Sequence, residues 1–171
     1  MTKGDDDHEA RARDLLRRGT QLLGRNRPKK AAELLERARS LGLESVDLLL
    51  NLGGAYILTR RFAAAAAVLE TARNLDPKNA MIWTNLGAAY LGNPILATAD
   101  QQERAVAAFK EALALNPAAP HVAYNIGLIY RDRREPTTAA EWFRRALETN
   151  PNDRDAQRLL ARMTAASREE E

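Results

Sequence analysis

The sequence predicts an all-α fold that is built from four similar pairs of helices. The first observation is a period: Gly19, Gly53, Gly87 and Gly127 lie 34, 34 and 40 residues apart, and periods of this length are typical of stacked helical repeats. The second is composition, since apolar residues make up 45% of the chain but aromatic residues only 5%, a mixture that favours closely packed helices over sheets. The third is an Asp-Pro or Asn-Pro pair near the end of each of the last three units.

The first helix of each unit is predicted from apolar residues at three- and four-residue spacing, as in Trp83, Leu86 and Tyr90. Each of these helices also contains the periodic glycine. Glycine inside a helix costs about 1 kcal/mol relative to alanine. Its recurrence at one position therefore predicts that another helix approaches closely there.

The second helix of each unit carries an alanine, a large apolar residue and another alanine at fixed spacing. These sets are Ala31, Leu35 and Ala38; Ala65, Leu69 and Ala72; Ala105, Phe109 and Ala112; and Ala139, Phe143 and Ala146. Small residues let the helices approach, and the large side chains fill the remaining volume.

Helix boundaries follow from proline and from capping residues. The pairs Asp76-Pro77, Asn116-Pro117 and Asn150-Pro151 are predicted to end second helices, because the residue before proline is pushed out of the helical region. Pro28 and Pro136 are predicted to begin second helices, where a missing N–H does no harm. Asn79 and Asp153 are predicted to cap the helices that follow them.

The third unit contains six additional residues within Leu91–Arg104. We expect a longer loop around Gly92–Thr98. Its second helix is predicted to start near Asp100, with Glu103 reaching back as in a capping box.

These residues resemble the tetratricopeptide repeat, whose pattern is Trp-x2-Leu-Gly-x2-Tyr, then Ala-x3-Phe-x2-Ala, then Pro. The third unit has all eight signature residues: Trp83, Leu86, Gly87, Tyr90, Ala105, Phe109, Ala112 and Pro117. The resemblance implies an all-α, right-handed α-solenoid with four helix-turn-helix repeats over 12–45, 46–79, 80–119 and 120–153. Residues 1–11 are predicted to be an acidic lead-in, and residues 154–171 a C-terminal capping helix.

In this family the first helices line a concave groove that binds ligands. The resemblance places Arg17, Asn51, Asn85 and Asn125 at one groove position, and three asparagines in register could bind the backbone of an extended peptide. Asparagine is also common at this position whatever such repeats bind, so inheritance remains the alternative.

An apolar strip with scattered cations is expected beside the asparagines. The strip consists of Leu16, Leu50, Met81, Tyr124 and Leu128, and the charged or titratable residues are Arg13, Arg17, His121 and Arg131. This surface would suit a ligand with apolar anchors and acidic groups, or a helix of the chain or of a second copy that covers it. The Lys and Arg pairs with which some family members grip a terminal carboxylate are missing.

No catalytic, metal or cofactor site is expected. The chain has no cysteine and no recognisable nucleophile, zinc or phosphate-loop motif, and the acidic run Asp5–Asp7 with His8 is interpreted as solvated. A net charge of +3 without a dense basic face argues against nucleic acid as a partner. The sequence also lacks a membrane span and a secretory signal, so a cytoplasmic location is the default.

The sequence therefore predicts a non-enzymatic protein that binds a peptide or partner protein in its groove. The alternative is a structural scaffold that forms homo-oligomers through the groove or the last helix. Ala156, Leu159, Leu160 and Met163 form one stripe on that helix. Folded back, the stripe would close the array; swung outward, it would join two chains.

Overall fold

A computed structural model describes residues 3–169, and the side chains of residues 7–166. Over this range the chain forms nine α-helices and no strand. The helices are α1 (Lys3–Gly24), α2 (Pro28–Ser40), α3 (Val46–Leu58), α4 (Phe62–Leu75), α5 (Ala80–Leu91), α6 (Ala99–Leu115), α7 (Val122–Asp132), α8 (Pro136–Thr149) and α9 (Arg154–Glu169).

The helices stack in chain order. Each packs against the helix before it and the helix after it, and α3 also contacts α1 and α5. The first helices of the first three units therefore lie beside one another, and α6 connects α5 to α7. This arrangement confirms the all-α solenoid of helix pairs.

The periodic glycines lie where the second helix of the same unit comes closest. A Cβ atom built on each glycine would meet a side chain at an impossible distance: Leu35 at 2.7 Å from Gly19, Leu69 at 2.6 Å from Gly53, Phe109 at 2.4 Å from Gly87, and Phe143 at 2.8 Å from Gly127. The predicted close approach is confirmed. The glycines make room for the large side chain between the two alanines, and these large side chains are almost fully buried.

Most predicted helix boundaries are confirmed. Helices α4, α6 and α8 end at the residue before Asp76, Asn116 and Asn150, and Pro28 and Pro136 open α2 and α8. The Asn79 side chain accepts a hydrogen bond from the Met81 N–H at 3.1 Å. Asp153 Oδ1 accepts hydrogen bonds from the N–H groups of Asp155 and Ala156, both at 3.0 Å.

Helix α6 begins at Ala99, close to the predicted start near Asp100, but its predicted cap is wrong. Helix α6 is capped by Thr98 rather than Asp100, because the Thr98 hydroxyl accepts from the Gln101 N–H while the Gln101 side chain accepts from the Thr98 N–H. Helix α1 begins at Lys3, so the residues expected as a lead-in extend the first helix. Asp5–Asp7 thus lie in its first turns, where the helix dipole favours negative charge.

The first helix of the fourth unit begins late. Its capping position holds Ala119 and Pro120, where the third unit has Asn79 and Ala80, so no side-chain oxygen is available to start α7. The helix starts at Val122, and His121 precedes it in a left-handed conformation with φ of 62°. His121 therefore lies just before α7.

A hydrogen bond between a tyrosine and a glutamate connects the first unit to the second. The Tyr56 hydroxyl donates to Glu36 Oε1 at 2.8 Å, and Arg61 Nη1 donates to the same oxygen at 2.7 Å. The Arg61 guanidinium also lies over the Tyr56 ring, 4.1 Å from its centroid. Partial burial alone would raise the pKa of Glu36, but the two hydrogen bonds outweigh it and lower that pKa.

An equivalent hydrogen bond connects the second unit to the third. The Tyr90 hydroxyl donates to Glu70 Oε1 at 2.8 Å, and Arg104 lies 4.1 Å from the Tyr90 ring centroid. Burial, followed by the hydrogen bond to the carboxylate, raises the pKa of Tyr90, as it does that of Tyr56. In both junctions the glutamate stands twenty residues before the tyrosine.

Helix α9 folds back onto α8. Ala156 is fully buried, and Leu159, Leu160 and Met163 are half-buried. The apolar stripe of α9 therefore packs against the end of the array, as a solvated closing helix requires.

Candidate functional site

All twelve residues expected in the groove are accessible, and none belongs to the buried core. Exposed are Arg13, Arg17, Met81 and His121; half-buried are Leu16, Leu50, Asn51, Asn85, Tyr124, Asn125, Leu128 and Arg131. Met81 keeps 62% of its surface exposed although it is large and apolar. These residues lie on or next to α1, α3, α5 and α7, so they share the first-helix side of the stack.

The three asparagines stand on α3, α5 and α7 and differ in their hydrogen bonds. Asn51 Nδ2 donates to the Asp47 carbonyl one turn earlier, at 2.7 Å. Within residues 7–166, no protein group forms a hydrogen bond with the side chains of Asn85 or Asn125. Those two amides have both a donor and an acceptor available to a ligand, whereas Asn51 has its oxygen available.

The arginines of the expected strip are paired on their own helices. Arg13 Nη2 donates to Glu9 at 2.6 Å, Arg17 donates to Asp14, and Arg131 Nη2 donates to Asp132 at 2.6 Å. The hydrogen bond from Arg17 is the main cause that lowers the pKa of Asp14. Exposed pairs of this kind contribute about 0–1 kcal/mol each to stability. A ligand carboxylate can therefore replace the helix carboxylate as the partner of the arginine with little loss of stability.

The inserted loop of the third unit borders this surface. Leu91 and Pro94 line a cleft of about 110 Å³ together with Gln102 on α6 and with residues of α7 that include Asn125 and Leu128. The loop is held by its own hydrogen bonds, since Asn93 Oδ1 accepts from the Ile95 N–H at 3.2 Å. Ile95 and Leu96 project from this turn and are 91% and 74% exposed.

A second cleft lies between α7 and α9. It is lined by Tyr124, Asp155, Arg158, Leu159 and Arg162. Burial, together with the negative charges of Asp155 and Asp153, raises the pKa of Tyr124, so its hydroxyl is a donor at neutral pH. The closing helix therefore contributes charged side chains beside Tyr124, one of the expected groove residues.

A third pocket lies where α7 begins, beside the end of α8. Its volume is about 200 Å³, and its lining comprises Leu113, Ala119, Pro120, His121, Ala123, Tyr124, Ala146, Thr149, Asn150 and Asp153. Sequence reasoning placed His121 and Tyr124 in the groove but did not predict this pocket.

The arrangement offers hydrogen bonds and apolar contacts rather than reactive groups. Among residues 7–166, no three His, Asp or Glu side chains are placed to hold a metal ion. None of the helices in the described part is long and apolar enough to cross a membrane.

Two tetratricopeptide repeat families match the chain, one over residues 22–90 and the other over residues 96–154. The chain belongs to the tetratricopeptide repeat family. No curated protein sequence matches it. Proteins of this family generally mediate protein–protein interactions, and their repeats are typically not catalytic.

Solved tetratricopeptide repeat proteins share the fold. TTC0263 from Thermus thermophilus is 22% identical with a TM-score of 0.73, and the match covers 91% of this chain and 82% of that one. MamA from Desulfovibrio magneticus is 21% identical with a TM-score of 0.72, over 84% and 77%. YrrB, described as having an unusual peptide-binding site, is 20% identical with a TM-score of 0.70, over 82% and 69%.

The tetratricopeptide repeat register explains why the pocket was missed. The signature tryptophan is present only in the third repeat, as Trp83, and the fourth repeat has Ala123 in its place. A comparison of the repeats position by position would have signalled missing volume at Ala123.

Proposed function

We propose that the first-helix face binds an extended segment of a partner protein and that the chain is an interaction module without catalytic activity. The observation that carries this proposal is the in-register set of asparagines on α3, α5 and α7, two of which have amides without a protein partner in the described residues. An unpaired amide at the surface is hydrated, and an extended backbone supplies the same hydrogen bonds that water does.

Apolar groups beside the asparagines supply the remaining affinity. Met81 is exposed, and Leu50 and Leu128 are half-buried, so together they offer contact area without a preformed partner. Methionine adapts to differently shaped ligands because its side chain is unbranched and flexible. The paired arginines add attraction for acidic groups, chiefly during encounter.

YrrB supports the use of such a fold for peptides, since it is a tetratricopeptide repeat protein described as having a peptide-binding site. The competing proposal is a homo-oligomer that forms through the groove or α9. The apolar stripe of α9 packs against α8. Much of the surface through which an outward-swung α9 would contact a second chain is therefore covered. Light scattering at several concentrations separates the two, because a peptide-binding monomer keeps the mass of one chain.

The test begins with a displayed library of linear peptides, selected on the wild-type protein. The selected peptide is then titrated against Asn51→Ala/Asn85→Ala/Asn125→Ala. Each lost hydrogen bond removes about 0.5–1.5 kcal/mol, so the dissociation constant should rise by about one to three orders of magnitude. Asn74→Ala, an exposed asparagine on the second helix α4, is the matched control and should leave affinity unchanged.

Arg17→Glu gives an independent readout for an acidic peptide. It should slow association and reduce the dependence on salt, because an exposed charge mainly steers encounter. Circular dichroism confirms that every variant is folded. Equal affinity of wild type and the triple variant would reject the asparagine-lined face as the binding surface.

A further inference from the structure

The single tryptophan of the repeat signature fills a definite space in the third repeat. Trp83 is half-buried and packs against both the apolar core of α1–α5 and that of α6–α7. Its Nε1–H donates to the Pro77 carbonyl at 2.8 Å. Arg73 covers the ring from the preceding helix, 5.7 Å from the centroid.

The pocket of the fourth repeat occupies the corresponding space. Ala123 stands 40 residues after Trp83, the offset that also separates Gly87 and Gly127. Leu113, which lines the pocket, stands 40 residues after Arg73. The pocket is therefore the volume that a tryptophan at position 123 would fill, left open because the residue there is alanine.

The late start of α7 opens this space to solvent. The inner wall is apolar and buried, since Leu113, Ala119 and Ala123 keep at most 7% of their surface exposed. Pro120, His121, Thr149 and Asn150 form an exposed rim. A volume of about 200 Å³ exceeds the roughly 150 Å³ of cavities that bind benzene, so a two-ring aromatic group fits.

The repeat register also assigns a hydrogen-bond acceptor to this space. The carbonyl that follows each second helix is used twice elsewhere: Pro77 accepts from Trp83, and Pro151 accepts from Gln157 Nε2 at 2.7 Å. Ala123 cannot donate, and in the described residues the Pro117 carbonyl receives no hydrogen bond. By the forty-residue offset, the Pro117 carbonyl corresponds to the Pro77 carbonyl that Trp83 uses in the third repeat.

We propose that this pocket binds a tryptophan side chain of the partner protein. The proposal rests on the proposed function for the source of that side chain, because Tyr124 lines both the pocket and the α7–α9 cleft beside the peptide-binding face. Burial of a large aromatic side chain in a preformed pocket is the arrangement that anchors many interfaces. The partner segment would thus lie along the first helices and insert its tryptophan at the fourth repeat.

The pocket is tested with free indole, without any peptide. Indole is titrated into ¹⁵N-labelled wild-type protein, and amide shifts of Ala123, His121 and Asp153 should saturate with a dissociation constant on the order of a millimolar, as expected for so small a ligand. Ala123→Trp fills the space from within and should weaken indole binding at least tenfold. Ala123→Leu fills it in part and should weaken binding less, which provides a second reading if the tryptophan variant folds poorly.

Trp83→Ala is the matched control, since it creates the same space one repeat earlier. It should leave binding at the fourth repeat intact and add a second set of saturable shifts around Arg73 and Pro77. No saturable shifts in the wild type, or shifts near residue 123 that persist unchanged in Ala123→Trp, would overturn the pocket. If the protein binds indole but selects no peptide from the library, the proposed function is overturned and the pocket is not.

The last experiment tests whether the pocket binds the tryptophan of a selected peptide. A selected peptide that contains tryptophan is compared with its Trp→Ala analogue on wild type and on Ala123→Trp. The peptide's tryptophan should contribute at least tenfold in affinity on the wild type and nothing on Ala123→Trp. An equal contribution on both proteins would show that the tryptophan binds elsewhere, and the proposal would be rejected.

Discussion

Two neighbouring glycines of α3 allow the close-approach argument to be tested inside one helix. A Cβ atom at Gly53 would lie 2.6 Å from Leu69 Cγ, whereas a Cβ atom at Gly54 would have no atom within 4 Å. Both residues are in the helix interior. Alanine at either site gains the same helix preference, about 1 kcal/mol relative to glycine.

The two variants should therefore differ by the overpacking alone. Leu69 is fully buried, so it cannot move away without disturbing its neighbours, and overpacking of this kind costs about 1–3 kcal/mol. Gly54→Ala should stabilise the protein by up to about 1 kcal/mol. Gly53→Ala should unfold at a lower temperature than Gly54→Ala, by about 2–12 °C for a chain of this length.

Thermal melts followed by circular dichroism, with matching urea titrations, provide the measurement. Gly87→Ala repeats the test in the third repeat, where the Cβ atom would lie 2.4 Å from the Phe109 ring. The reasoning is refuted if Gly53→Ala and Gly54→Ala change the midpoint by the same amount.

Two further predictions concern the end of the array and its junctions. A chain that ends at Asp153 should melt at a lower temperature or aggregate in sedimentation runs, because α9 covers the apolar side of α8; a truncated chain as stable and soluble as the full one would contradict this. Glu36 has a lowered pKa in the folded chain. Its carboxylate therefore contributes stability that is fully present when the pH is above the ordinary glutamate pKa of about 4.3. This contribution is lost as the pH falls through the lowered pKa. Glu36→Gln should therefore melt lower than wild type at pH 7 but lose less stability on acidification, in melts from pH 7 to pH 3, and identical pH profiles would exclude the role of the hydrogen bonds to Glu36.

The fold could be predicted because its signals are local and repeated four times. Each glycine, alanine and proline acts within one helix pair, so the same inference is drawn several times from independent stretches. The wrong cap of α6 had only a single local signal. Thr98 with Gln101 and Asp100 with Glu103 both have the spacing of a capping box, and the sequence alone does not rank them.

Accessible positions on the first helices were predictable, but their hydrogen bonds were not. Register along the first helices correctly identified accessible residues, because side chains three and four apart share a helix face. It could not show that Asn51 donates to its own helix or that Arg17 is paired with Asp14, since these depend on side-chain rotamers. The Tyr56–Glu36 bond has a signal that was overlooked, namely the twenty-residue spacing that recurs between Glu70 and Tyr90.

Several departures from the repeat pattern lie at one junction. Between the third and fourth repeats, Lys110 replaces the glutamate that bonds to tyrosine, Ala119 replaces the capping asparagine, and Ala123 replaces the tryptophan. The inserted loop and the pocket beside Ala123 both lie at this junction, and Arg133 Nε donates to Gln102 across it at 2.9 Å. Selection for stability alone would favour restoring the replaced residues. At this junction the Glu–Tyr hydrogen bond and the capping side chain are missing, and open volume and accessible amides lie beside them. We therefore expect that ligand binding has been favoured over stability here.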